Sequence, residues 1–311
     1  MQSTLASMKN AVRCLVVFLV LTLGARGVFS QGCSDAGFCT MGGLEPHASE
    51  ELDETLNSIT FGLNYGFADN SITVLGFALE YSRQITSNLG VDVKFTSLAQ
   101  SGNGVAEFGL SDVYVSARYG ITSDVQAVLG GKIPLMRANT SLDGLALPMD
   151  YQSSLGTYDA ILGVRYVVGG LQVLAAAQLP LVQNQNAFLS ELYPAGSALR
   201  SFQSTNAFNR SADVLLRASY PLPVSESVVI TPSVLPIYHL AEDTYTTASG
   251  VVESITGSRG LTLNVNVFMT VAVARNQSIQ LSVAAPLIVR QARPDGLTRS
   301  FLANIEYAVR F

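Results

Sequence analysis

Histidine is nearly missing from this chain: His47 and His239 are the only two in 311 residues, and cysteine is scarce at three. Acyl transfer ordinarily needs a base beside a nucleophile, so the shortage weighs against a hydrolase. His47 sits in HAS, ahead of the first expected strand, and His239 near the end of SVVITPSVLPIYHL, where an interfacial position is commoner than catalysis. No group of His, Cys and carboxylates has metal-ligand spacing, and no Gly-rich loop leads into a helix, so no metal and no cofactor is expected. Sustained helical periodicity is absent from about residue 57 onward. The apolar run CLVVFLVLTL, Cys14 to Leu23, is about half the ~20 residues of a spanning helix.

What is present at the start reads as an export signal. Lys9 and Arg13 precede that run and the small-residue stretch GARGVFS follows it, which predicts a signal peptide over 1–30 with cleavage after Ser30. Its removal would leave 15 basic against 23 acidic residues, a net charge of −8. No basic patch remains to contact nucleic acid. Cys33 and Cys39 then lie near the new N-terminus, in QGCSDAGFCTMGG, and most simply form a small disulfide loop; a lipid-modified Cys33 and a zinc site are the alternatives. The expected organisation is a signal peptide (1–30), an extension (31–55) and a β-domain (56–311).

Alternation of apolar and polar residues recurs throughout that domain. LTLNVNVFMTVAV sets Leu261, Leu263, Val265, Val267, Met269, Val271 and Val273 on one face, a strand long enough to cross a bilayer at a tilt. Twelve such strands are expected, near 57–68, 72–84, 90–98, 108–120, 125–135, 157–168, 171–181, 209–221, 227–240, 259–273, 278–289 and 299–311. Tight connections (GITSD, GG, ARNQ) alternate with long polar ones (136–156, 182–207, 241–258), the pattern of an up-and-down transmembrane β-barrel with its tight turns in the periplasm. A soluble β-sandwich is the structural alternative, but it needs neither strands of that length nor an aromatic end.

Two marks repeat within the strands. SDVYVSARY, YDAILGVRY, ADVLLRASY and NIEYAVRF place Asp or Asn seven residues before Tyr119, Tyr166, Tyr220 or Phe311, an aromatic girdle at one membrane edge. The intervening strands carry Pro134, Pro180, Pro236 and Pro286 near their outer ends. The last strand, with Ile305, Tyr307, Val309 and Phe311 on its apolar face, resembles the C-terminal signal of Gram-negative outer-membrane proteins, which implies recognition by the barrel assembly machinery and residence among outer-membrane lipids. GLSDVYVSARYGI, GGKIPL and LPMDYQSSLGTYDAILGVRY, through Gly109, Asp112, Lys132, Pro134, Leu147, Pro148, Gly156, Thr157 and Asp159, resemble the outer-membrane transporter family described as phenol-degradation meta-pathway barrels. CSDAGFC lies outside that pattern and looks like a feature of Bacteroidota versions.

With the girdle facing lipid, parity sends Asp112, Arg118, Lys132, Asp159, Arg165, Asp213, Arg217, Glu306 and Arg310 inward as lumen-lining candidates. The opposite choice would cost about 2 to 4 kcal/mol for each charge near the bilayer midplane. Such charges either line an aqueous path that sorts solutes or interlock and fill a narrow barrel. Asp112 and Arg118 lie too far apart on one strand to pair directly. The extension could enter the lumen as a plug or remain a tether. If the proline repeat holds, Pro236 and Tyr238 face inward and His239 outward. The expected function is a passive outer-membrane channel for small molecules, hydrophobic ones included; a lipid-modifying enzyme and an adhesin or scaffold acting through 136–156 and 182–207 are the alternatives.

Overall fold

The computed structural model describes residues 41–46, 57–296 and 299–311; the signal-peptide segment, the Cys33 and Cys39 pairing and His47 lie outside the described residues. Twelve antiparallel strands form the wall: β1 (Asn57–Ala68), β2 (Thr73–Gln84), β3 (Leu89–Gly102), β4 (Val105–Gly120), β5 (Val125–Pro134), β6 (Tyr158–Val168), β7 (Leu171–Val182), β8 (Asp213–Ser219, resumed at Leu222–Ser225), β9 (Val228–His239), β10 (Gly260–Ala274), β11 (Gln277–Ile288) and β12 (Arg299–Arg310). Each pairs with its neighbours in sequence, and β1 pairs with β12, so the sheet closes on itself. Closure leaves no edge strand with unpaired backbone groups. At the seam Ser58 faces Arg310, and Asn57 and Phe311 exchange backbone N–H···O bonds of 3.0 and 2.9 Å.

Alternation decides the two faces. Phe61, Leu63, Tyr65 and Phe67 of β1 and Phe77, Leu79 and Tyr81 of β2 are exposed outside, as are Leu129, Leu162, Val164, Val283 and Ile305 further round. Strands of 10 to 16 residues cover most of the wall, and about 10 tilted residues suffice to cross the hydrocarbon core. Tyr119, Tyr166, Tyr220 and Phe311 are also exposed, each beside a short turn or the chain end. A water-soluble protein has no means of solvating a continuous apolar belt of this size, whereas acyl chains do.

The opposite end is more varied than turn length alone suggests. It carries the long segments 135–157, 183–212, 240–259 and 289–296, but also two tight turns, at 69–72 and at Asn103-Gly104. The latter pair has φ of 52° and 79°, the left-handed geometry that a two-residue hairpin demands and that Asn-Gly supplies most readily. β8 is shorter than its periodicity suggests. Residues 209–212 belong to the preceding loop, and Pro221 interrupts the strand because it has no N–H to donate.

The long segments fold into a cap with its own core. Ile72, Val74, Val105, Leu147, Tyr151, Phe188, Tyr193, Leu199 and Phe202 are buried together, with ring centroids 6.0 Å apart for Tyr151 and Phe202 and 5.6 Å for Phe188 and Tyr193. The hydroxyls of Tyr151 and Tyr193 donate to the carbonyls of Gly102 (2.8 Å) and Ala146 (2.9 Å). Asn186 ties two loops by donating to Ala138 (2.9 Å) and Leu147 (3.0 Å). Burying each large apolar side chain here is worth about 1.5 to 3 kcal/mol, enough to hold loops that would otherwise fray.

Candidate functional site

The inward face of the barrel is where chemistry concentrates. Facing the lumen are Asp112, Lys132, Asp159, Arg165, Asp213 and Arg217, all buried, with Arg118, Glu306 and Arg310 partly buried nearer the short-turn end. The structure sorts them into separate knots.

The first knot anchors the 135–157 loop to the wall. Lys132 Nζ lies 2.9 Å from Asp159 Oδ2 across the β5–β6 ladder and donates to Thr157 Oγ1 at 2.8 Å. Gln178 also donates to Asp159. Asp112 accepts from Ser154 Oγ at 2.6 Å, and that same oxygen receives the Gly156 N–H at 2.9 Å. Residues 154, 156 and 157 therefore belong to the loop's return into β6, and the carboxylates of β4 and β6 fix it.

The second knot sits under the cap. His239 presents Nδ1 to Asp213 Oδ1 (2.6 Å) and Nε2 to Asp243 Oδ1 (2.8 Å). Arg210 pairs with Asp213, and Asp295 receives Arg290 at 2.9 Å with Arg210 Nε 3.7 Å away. Burial would raise the Asp295 carboxyl, but Arg290 and Arg210 override it and hold it below the ordinary range. Three loops and two strands thus meet in one buried ionic cluster. His239 faces inward and Pro236 and Tyr238 outward, the reverse of the orientation expected from the proline repeat. β9 is apolar on both parities, so its phase is set by pairing, with Leu235 opposite Asn264 and His239 opposite Gly260, and Pro236 is one residue out of step with Pro134, Pro180 and Pro286.

Two further knots line the short-turn end. Lys94 Nζ lies between Glu80 (3.1 Å) and Glu306 (3.3 Å), and Arg118 makes a two-pronged contact with Asp92 at 2.9 Å on each arm. Arg118 therefore pairs across the β3–β4 ladder, and Asp112 is engaged elsewhere. Glu80, Asp92 and Lys94 were readable by parity in FALEYSR and VDVKF but lie outside the repeated motif. Arg210, Asp243, Arg290 and Asp295 sit in or beside loops, where no period marks them.

The lumen is filled at its middle. Met41 to Pro46 lie inside the barrel: Met41 and Leu44 are buried against Tyr114, Val128, Ile161, Leu174, Ala176, Leu215, Leu235 and Ile237. Arg165 donates to the carbonyls of Gly43 (2.9 Å) and Glu45, Arg217 donates to that of Leu44, and Gln280 donates to the Glu45 carboxylate at 3.3 Å. Beneath this segment lie cavities of about 200 Å³, lined in part by Glu80, Asp92, Arg118, Gln280, Glu306 and Arg310, and about 720 Å³, opening among the short turns. The arrangement can hold a polar vestibule at one end, a plugged waist, and a latched cap at the other.

No family model matches the chain, and no curated protein matches it. Neither finding supports the specific family or the Bacteroidota origin that the motifs suggested. Among solved structures, the translocator domain of autotransporter NalP from Neisseria meningitidis is similar at 9% identity and a TM-score of 0.47, covering 85% of this chain and 91% of that one. The KdgM porin is similar at 10% identity and 0.43, covering 82% and 99%. The Ralstonia pickettii toluene transporter TbuX follows at 12% and 0.42, covering 86% and 91%. Likeness at this level leaves the barrel to be argued from its own strands.

Proposed function

We propose that this chain is an outer-membrane channel that passes small molecules passively and rests closed, with residues 41–46 as its plug and the outer loops as its cap. The observation that carries this reading is the lumen itself: an ion-lined vestibule opens at the short-turn end and stops at a six-residue segment of the chain's own N-terminal part. A barrel serving only as a scaffold has no need of inward glycines shaped to that segment. A Cβ at Gly130 would collide with Met41, and one at Gly163 would lie 3.3 Å from Leu44 Cδ2.

The mouth charges would then set selectivity at the vestibule, where Arg118, Arg310 and Glu306 line the path, whereas Lys132, Asp159 and Asp213 serve as braces. Export by a signal peptide and insertion guided by the Phe311 strand belong to the same proposal. The test is efflux of small neutral and charged solutes from liposomes holding either the mature chain or one lacking residues 31–55. Faster efflux from the shortened form supports the plugged channel. Equal and negligible efflux from both folded forms rejects it.

A further inference from the structure

Arg165 is nearly fully buried, and among the described residues no carboxylate lies within ion-pair distance of it. It donates to the main-chain oxygens of Gly43 and Glu45. Arg217, two ladders away round the wall on the other side of Leu174, turns to the Leu44 carbonyl between them. On the cap side of the two guanidinium groups the wall is apolar and dented. Gly130 and Gly163 leave room for Met41 and Leu44, and Val128, Ile161, Leu174 and Leu215 surround them. The Glu45 carboxylate, whose charge both arginines still feel, is outside ion-pair distance of Arg165 and accepts its hydrogen bond from Gln280. Carbonyl oxygens bond a guanidinium but bring no counter-charge, so the desolvation of the buried cation is compensated only in part, whereas a carboxylate also matches its planar fork.

We propose that this recess is a binding site for small acyl-amide carboxylates with an apolar side chain, such as an N-acylated amino acid or the free C-terminal end of a short apolar peptide, and that residues 41–45 occupy it as a stand-in. The ligand's amide and carboxylate oxygens take the places of the Gly43, Leu44 and Glu45 carbonyls. Its side chain fills the Gly163 recess in place of Leu44. The inference rests on the plug reading in one respect, that the segment can be displaced.

The experiment is calorimetric titration of the purified full mature chain in detergent with N-acetyl-leucine and with its uncharged amide, N-acetyl-leucinamide. Met41→Lys/Leu44→Lys sets two cations against the apolar wall and the arginines, so it expels the segment without altering the recess. Expected are at least tenfold tighter binding of N-acetyl-leucine by this variant than by the parent, and a tenfold loss on adding Arg165→Gln, with the amide's affinity changing less than twofold. Adding Gly163→Leu instead fills the recess and should abolish binding of both probes; it serves as the second test if the Arg165→Gln protein does not reach the heat-modifiable folded form. No gain on expelling the segment overturns the proposal, as does binding that is indifferent to Arg165 and Gly163. A chain that binds but never passes solute in the liposome assay retains this site and loses the channel reading, and one that passes solute without binding does the reverse.

Discussion

Among the described residues Lys94 is the one cation within ion-pair distance of Glu80 and Glu306, at 3.1 and 3.3 Å, with side chains 6, 9 and 12% exposed. Lys94→Met removes it while keeping the length of the stem, so two nearly buried carboxylates are left facing each other at the wall of the vestibule. Breaking a buried pair by deleting one partner costs about 3 to 5 kcal/mol, because the remaining charge stays desolvated. Neutralising all three residues, as Lys94→Met/Glu80→Gln/Glu306→Gln, removes the stranded charges, and stability should return to within about 1 kcal/mol of the parent. The assay is urea unfolding in lipid vesicles, read by far-UV circular dichroism and by cold gel mobility, since the chain has no Trp for fluorescence. A single-variant loss under about 1 kcal/mol would refute the reasoning, for it would mean that vestibule water screens the acids as it screens surface pairs.

His239→Gln keeps a hydrogen-bonding amide but cannot donate through both ring positions to Asp213 and Asp243, so the cap should loosen; proteolysis in the 240–259 loop of the folded barrel should rise at least tenfold, and an unchanged cleavage rate would count against the latch. Burial raises the Asp150 carboxyl from its ordinary value to about 7, with Asp69 adding to the rise. The folded cap therefore holds a proton that the unfolded chain has lost, so this contribution is present in acid and disappears as pH rises through about 7. Hydrogen exchange of the 135–157 loop, corrected for intrinsic rates, should quicken between pH 5.5 and 8 in the parent and stay level in Asp150→Asn; parallel profiles would remove Asp150 from the account. Deleting Phe311 removes its paired backbone bonds to Asn57 at the seam, and the fraction of chain inserted in the outer membrane should fall while export is unchanged; normal assembly would refute that role.

Strand existence was legible in the sequence because a period of two is imposed wherever one face meets lipid and the other does not. β1 occupies 57–68 as read, and most other ends fall within two residues of expectation. β3 and β4 run further outward than read, to Gly102 and from Val105, because the Asn103-Gly104 turn continues their ladder beyond the apolar belt. Where both faces are apolar, as in β9, period carries no phase, and His239 was placed on the wrong side. The inward charges were legible individually, but their partners were not. Arg118 meets Asp92 through the β3–β4 register, and Lys132 meets Asp159 through a connection of more than twenty residues, neither of which a local pattern encodes. The cap network was least legible of all, since Arg210, Asp243 and Asp295 come together only after the loops have folded over the mouth.

The central claim is that residues 41–46 close a channel that is otherwise able to conduct. Single-channel recording in a planar bilayer tests it most directly, comparing the mature chain with Met41→Lys/Leu44→Lys at the same salt and voltage. The account predicts brief or no openings in the parent and steady conductance in the variant, with ion selectivity that shifts when Arg118 and Arg310 are replaced by Ala. Silence from a variant that folds and inserts normally, with the segment shown to have left the lumen, would contradict it.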